Sequence, residues 1–346
     1  MLLKLLPEIR EKILQYCICN DLKSLSCCSK AYNRTLASSL WRHIAISHTQ
    51  LSMKDMTTHK KILRSLKHTT RLGLFENKEA TEVDAGHFPC NKKERRILQN
   101  INSILKQCHP DVLQAFHISP NKMFVDALSV VGLVCEMFVQ LKILHVTHCH
   151  LSPTSFRSIM ALHQLSDLNV FGTNTDDETL LLITENLLEI EHLDIGCTRI
   201  SDDGLYHLQK LSKLEQLCLK GCHITNRGVA MISSLKNITD LDLSDGLDIS
   251  DAGVVSLVSL QNLSKLNISW TMVKDVAIAQ LYRMKKLAHL EVVGTALTDK
   301  SVRYLFNISR LRYLDIRETN ITDVSVEHLL RTKNPDAVCL SGNKCC

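Results

Sequence analysis

The sequence predicts an α/β protein: a curved parallel sheet with outer helices, grown one short strand at a time as a solenoid and preceded by a small three-helix segment. Three observations predict it. An apolar frame recurs at nearly constant spacing, each frame is followed by the same turn and helix-start chemistry, and the first forty-odd residues follow a different, purely helical spacing.

The frame is apolar, two residues, Leu, one residue, apolar. It starts at Leu141, Leu165, Ile190, Leu214, Ile238, Leu263, Leu287 and Leu311, with spacings of 24, 25, 24, 24, 25, 24 and 24 residues. In Leu214-Glu-Gln-Leu217-Cys-Leu219, the alternation sends Leu217 and Leu219 inward and Gln216, Cys218 and Lys220 outward. This is the frame of a leucine-rich-repeat solenoid. A small residue then takes the inward turn position (Cys149, Thr173, Thr198, Cys222, Thr271, Thr295, Thr319), where a thiol or hydroxyl can bond the backbone of the adjacent coil.

Ile-Ser/Thr-Asp comes next, as in Ile200-Ser201-Asp202 and Ile321-Thr322-Asp323. The hydroxyl suits a helix N-cap and the carboxylate the positive helix end. Two residues past that Asp stand Gly204, Gly228, Gly253, Ala277, Ser301 and Ser325, small enough for a helix to approach the sheet closely. The unit around Asp245-Gly246-Leu247 carries one additional residue, which predicts a local bulge. Degenerate units are expected at Leu72-Gly-Leu74 and Phe116-His-Ile118, a polar insertion over 75–96, and a closing partial strand at Ala337-Val338-Cys339-Leu340.

Residues 3–46 read instead as three short amphipathic helices. Pro7 suits the first helical position, Ile9, Ile13 and Tyr16 recur with helical spacing, and Asp21 caps a second helix through Leu22 and Leu25. Around forty residues make a poor core alone, a hint that this segment binds a partner. The organisation is therefore 3–46 helical domain, 47–110 irregular linker and degenerate first repeats, and 111–346 repeat domain.

The N-terminal run Leu6-Pro7-Glu8-Ile9, Lys12-Ile13-Leu14, Asp21-Leu22-Lys23-Ser24-Leu25 and Leu40-Trp41-Arg42-His43-Ile44 resembles the F-box family. Together with the repeats, the chain is similar to substrate receptors of SCF-type cullin–RING ubiquitin ligases. That resemblance implies that Leu6, Pro7, Ile9, Ile13, Leu14, Leu22, Leu25 and Trp41 meet the Skp adaptor or the F-box core, and that the concave repeat face holds a target protein. Tyr32 and Asn33 depart from the family's bulky third-helix aromatic. The alternative is a repeat scaffold or inhibitor whose N-terminal helices cap the array, with no role in ubiquitination.

On the strand face the central outward column reads His145, Asn169, Asp194, Cys218, Asp242, Asn267, Glu291 and Asp315. Asp194, Asp242, Glu291 and Asp315 are candidates to attract a basic partner segment. Trp270 stands where Gly172, Gly221 and Gly294 stand in other units, either as an anchor for a partner or lying flat on its own repeat. Arg317, with Phe171, Lys220 and Tyr313, completes the candidate substrate-binding set.

Other chemistry is not expected. His145, His148, Cys149 and His150 crowd together in sequence but do not converge on a metal, and no phosphate loop or catalytic triad stands out, so neither cofactor nor enzymatic activity is predicted. A net charge of +5 spread over 346 residues, with Lys92-Lys93-Glu94-Arg95-Arg96 its one dense run, argues against nucleic acid. The start is too interrupted for a leader, no apolar run reaches a membrane span, and the 14 cysteines fit a reducing compartment, so a cytoplasmic or nuclear protein is expected. Cys345-Cys346 lacks the cysteine four from the end that a prenylation box requires, and no membrane partner is expected.

Overall fold

A computed structural model describes the backbone of residues 43–47 and 71–75, residues 105, 106, 108, 113–119, 127–322 and 324–327, and the strand at 338–339. The adaptor-contact positions Leu6, Pro7, Ile9, Ile13, Leu14, Leu22, Leu25 and Trp41, the insertion over 76–96, and Cys345-Cys346 lie outside the described residues. Two compact units divide the chain, 1–165 and 166–346.

The first unit contains strands β1 (His43–Ser47), β2 (Arg71–Phe75), β3 (Ala115–Ser119) and β4 (Ile143–Val146), hydrogen-bonded in sequence order and all parallel. The two upstream degenerate units are thus strands, Leu72 pairing with Phe116 and Phe116 with Leu144. One difference from the expected helices appears at His43-Ile44-Ala45-Ile46: the end of the N-terminal segment is a strand in register with Arg71–Phe75. Its alternating β-branched and small residues suit a strand at least as well as a helix. Helix α1 (Ala127–Met137) precedes β4, and α2 (Pro153–Met160) follows it. Ser152 caps α2 and Pro153 opens it. Phe116, Phe138, Leu105, Leu113, Leu141 and Leu144 fill the core.

In the second unit eight strands follow in chain order, β5 (Asp167–Asn169), β6 (His192–Asp194), β7 (Gln216–Cys218), β8 (Asp240–Asp242), β9 (Lys265–Asn267), β10 (His289–Glu291), β11 (Tyr313–Asp315) and β12 (Val338–Cys339). All are parallel to their neighbours with the central leucines in register, Leu193 against Leu217, Leu241 and onward to Leu314. Every one of those leucines is buried, as is the next inward residue (Ile195, Leu219, Leu243, Ile268, Val292, Ile316). At about 1.5–3 kcal/mol for each buried aliphatic side chain, the two inward positions per coil are the main source of cohesion.

Helices α3 (Asp177–Asn186), α4 (Asp202–Leu205), α5 (Asn226–Ile232), α6 (Asp251–Ser256), α7 (Asp275–Leu281) and α8 (Asp299–Phe306) lie between successive strands. Tight 3-10 turns, Tyr206–Lys210 and Leu257–Ser259, extend α4 and α6.

Two expectations about the turns need correction. The turn threonines bond their own coil, not the adjacent one. Thr173, Thr198, Thr271, Thr295 and Thr319 each donate to the carbonyl three residues back, at 2.6–2.7 Å. A hydroxyl on a short, branched side chain reaches that carbonyl without leaving its turn. Cys222, with a longer bond to its bulkier sulfur, is the one that crosses, donating to Ile195 O at 3.1 Å.

The second concerns the Asp at each helix start, which serves as a staple between coils rather than only as a charge at the helix end. Asp202 accepts from Thr225 N (2.9 Å) and Thr225 Oγ1 (2.6 Å) of the next coil. Asp177 does the same for Ser201, Asp275 for Thr298 and Asp299 for Thr322. Asn226 takes the role toward Ser250 and Gly253. The small residue two positions on makes room for this staple: a Cβ on Gly204 would fall on the Asp177 carboxylate, and one on Gly228 on that of Asp202.

Candidate strand-face interaction surface

The outward column of the second unit is brought together as the spacing implied: Asn169, Asp194, Cys218, Asp242, Asn267, Glu291 and Asp315 are successive partners in register. His145 stands in the corresponding column of the first unit, opposite His117, with the two Nδ1 atoms 2.8 Å apart.

A structural reason for the Asp and Asn preference emerges. Their Oδ1 atoms accept the backbone N–H two residues on and so close the strand: Asn169 from Phe171, Asp194 from Gly196, Asp242 from Ser244, Asn267 from Ser269 and Asp315 from Arg317. This is the Asx turn, for which Asp and Asn are the natural residues. Sequence alone shows the column but not this job.

The four carboxylates differ in what else they meet. Asp194 Oδ2 also accepts from Asn169 Nδ2 at 2.8 Å. Asp315 is 1% exposed and gripped by Arg317, whose Nε and Nη2 donate to both its oxygens at 2.6–3.0 Å. Arg317 therefore answers a buried charge of its own coil. Asp242 is half-buried, and burial pushes its carboxyl above the usual carboxylate range against the opposing hydrogen bonds from Ser244.

Glu291 is pushed up too, first by burial and then by repulsion from Asp242 and Asp315, against a smaller opposing pull from Arg317. Among the described residues its carboxylate has neither a hydrogen-bond nor an ion-pair partner. Lys220 is engaged with Asp245 at 3.4 Å, and Lys265 with Asp240 at 2.9 Å. Tyr313 stacks on His289, ring centroids 5.8 Å apart.

The residues after these turns, from His148 to Glu318, all have left-handed backbone. Glycine fills the position at Gly172, Gly221 and Gly294, while His148, Cys197, Asp245, Trp270 and Glu318 hold φ between 51° and 60° there without being glycine. Only the glycines make this visible in a sequence. Trp270 (φ 57°) is 49% exposed, and its ring lies over Gly294 of the following coil, not over its own repeat. Phe171 lies in the same way over Gly196.

Burial drives the thiols of Cys108, Cys135 and Cys149 up to about 12, with Glu136 adding to the effect at Cys135, so all three stay protonated at neutral pH. Among the described residues no group of three or more His, Cys, Asp or Glu could hold a metal ion, and no helix is long and apolar enough to cross a membrane.

Parallel three-residue strands in register, inward leucines at a 24–25-residue period and a helix after each turn define a leucine-rich-repeat solenoid. Residues 190–208, which begin at β6 and run through α4 into the turn after it, match the family model described as Leucine Rich repeat. Comparison with curated proteins finds no match. Among solved structures, an internalin C2 from Listeria monocytogenes is 19% identical, covering 63% of this chain and 92% of its own, with a TM-score of 0.46. A second internalin (inlF) of that organism is also 19% identical, covering 63% of this chain and 74% of its own, with a TM-score of 0.41.

Proposed function

We propose that this chain is a non-enzymatic receptor subunit of an SCF-type ubiquitin ligase, taking a target protein on the strand face of its repeats and the Skp adaptor on its N-terminal helices. The observation that carries the receptor half is Glu291. It is a carboxylate on the outward column with no direct hydrogen bond or ion pair among the described residues, repelled by Asp242 and Asp315 more than Arg317 attracts it. A lysine or arginine of a partner would relieve that repulsion. The adaptor half rests on the F-box resemblance of residues 3–46, and with it go the cullin–RING connection and a cytoplasmic or nuclear location.

The second reading, a repeat scaffold with a helical cap, is favoured by one observation. The last residues of that segment form β1 and pair with β2, as a cap merging into its array would. Recovery of purified Skp adaptor by the full chain separates the two. Adaptor should be retained by the chain and lost on Pro7→Ala with Trp41→Ala, while the circular dichroism of the repeats is unchanged. Retention by the double variant, or no recovery at all, leaves the scaffold reading.

A further inference from the structure

Four exposed or half-exposed large apolar side chains line one edge of two adjacent coils. Leu247 is 73% exposed, Met272 58% and Val276 63%, beside the half-exposed Trp270. Backbone hydrogen bonds fix their proximity. Asp245 N donates to Ser269 O and Met272 N to Ile249 O, so the turn carrying Leu247 is held alongside the turn carrying Trp270 and Met272. Val276 follows within the first turn of α7.

The apolarity is local. Positions equivalent to Met272, just before the inward residue, are His223, Asp248, Ala296 and Asn320, and those equivalent to Trp270 are mostly glycine or polar. The repeat does not require these side chains. Leu247, moreover, stands in the one turn with an additional residue, and Trp270 is a bulky residue where glycine is the unstrained choice.

Acidic groups flank this ridge. Trp270 N donates to Val293 O, which sets the indole against the coil carrying Glu291 two residues earlier. Asp248 adjoins Leu247 and is exposed, and Asp242 lies in register one strand beyond Asn267. Of the cations around it, Lys274 is the residue just before α7, Lys220 is engaged by Asp245, and Arg317 is engaged by Asp315.

We propose that the ridge of Leu247, Trp270 and Met272 with Glu291 beside it docks an extended segment of a partner protein that presents aliphatic side chains together with lysine or arginine. This rests on the reading of the chain as a protein receptor and sharpens it: the partner is seated over the turn edge of two coils, with its basic residue turned in toward the strand face. Apolar contact on Trp and on the adaptable thioether of Met supplies the anchor, and the unpaired carboxylate of Glu291 selects the sign of the partner's charge.

The test uses the full chain and short fluorescein-labelled peptides repeating Leu-Lys, Leu-Glu or Ser-Lys, read by fluorescence anisotropy. The Leu-Lys probe should bind, and the other two should bind more weakly by roughly tenfold or more. Trp270→Gly with Met272→Ser should weaken Leu-Lys binding by a similar factor. Glycine already occupies the equivalent turn at Gly172, Gly221 and Gly294, so the fold should tolerate this variant, and an unchanged melting curve verifies it. Glu291→Lys should abolish the preference for Leu-Lys over Leu-Glu.

Failure of Leu-Lys to bind overturns the proposal. So does equal binding of all three peptides, and so does a dimer of the free chain that Trp270→Gly disperses, since a second copy would then cover the ridge. Loss with Glu291→Lys but not with the ridge variant also overturns it, yet leaves a strand-face receptor standing. Adaptor recovery is scored separately and is indifferent to these variants.

Discussion

At the scale of single residues, two glycines that look alike in the sequence carry opposite predictions. Gly228 is buried beside the Asp202 carboxylate, and an added Cβ would also crowd Ile224 and Leu205. Gly228→Ala should therefore destabilise the fold by about 1–3 kcal/mol, the usual cost of overpacking. Gly132, inside α1, has only Ser158 Oγ at ordinary contact distance, and Gly132→Ala should stabilise by about 0.5–1 kcal/mol. Urea titration of both variants checks the sign. The same local detail limits what can be read from sequence. The small-residue column was visible, but its cause, a carboxylate arriving from the previous coil, depends on a contact across about two dozen residues that no local pattern encodes. Trp270 likewise stood out as a bulky residue in a glycine register, whereas its seat over Gly294 did not.

At the scale of elements, strands and helices followed directly from spacing, since the period-two alternation and the period of the repeat each bury a fixed set of positions. What spacing could not show is how one coil is fastened to the next apart from the strand ladder. The helix-start staple has a clear test. Asp202→Ala removes the acceptor for Thr225 N, Thr225 Oγ1 and the Arg227 guanidinium, and the half-buried Thr225 donors left over should cost about 1 kcal/mol. Asp202→Asn should cost less, because Asn226 performs the same task toward Ser250 and Gly253 in the next coil. Hydrogen exchange at the Thr225 amide separates the two, with protection falling in the alanine variant and largely kept in the asparagine variant. Equal protection in all three proteins would mean that the strand ladder and buried leucines hold the coils without the staple.

At the scale of the whole molecule, two populations of carboxylates pull the pH dependence of stability in opposite directions. In Asp202 and Asp299 the folded state lowers the carboxyl. For Asp202, burial alone would raise it, and the hydrogen bonds from Thr225 and Arg227 outweigh that; for Asp299 the Thr225 counterpart, Thr322, supplies the hydrogen bonds from its backbone and hydroxyl. Stability from such groups is present above the ordinary carboxylate range and is lost as pH falls through the depressed folded value. Asp242 and Glu291 are raised, so between their ordinary and folded values the native state binds more protons than the unfolded chain, and stability falls as pH rises through that window. Unfolded Asp and Glu titrate near pH 4, so wild-type melting temperature should rise as pH is lowered from neutral toward the ordinary carboxylate range and fall as pH drops below it. Asp242→Asn with Glu291→Gln keeps the Asx-turn acceptor at 242 and removes both repelling charges. That variant should melt higher than wild type at pH 7, lose the gain on mild acidification, and keep the acid fall set by the staples. A partner bringing a lysine or arginine to Glu291 should reproduce the first effect in the unaltered protein, stabilising it more at neutral pH than in mild acid. A double variant that melts below wild type at pH 7 would show instead that these two carboxylates hold the sheet together, and the case for an unpaired, net-repelled charge on the strand face would fall with it.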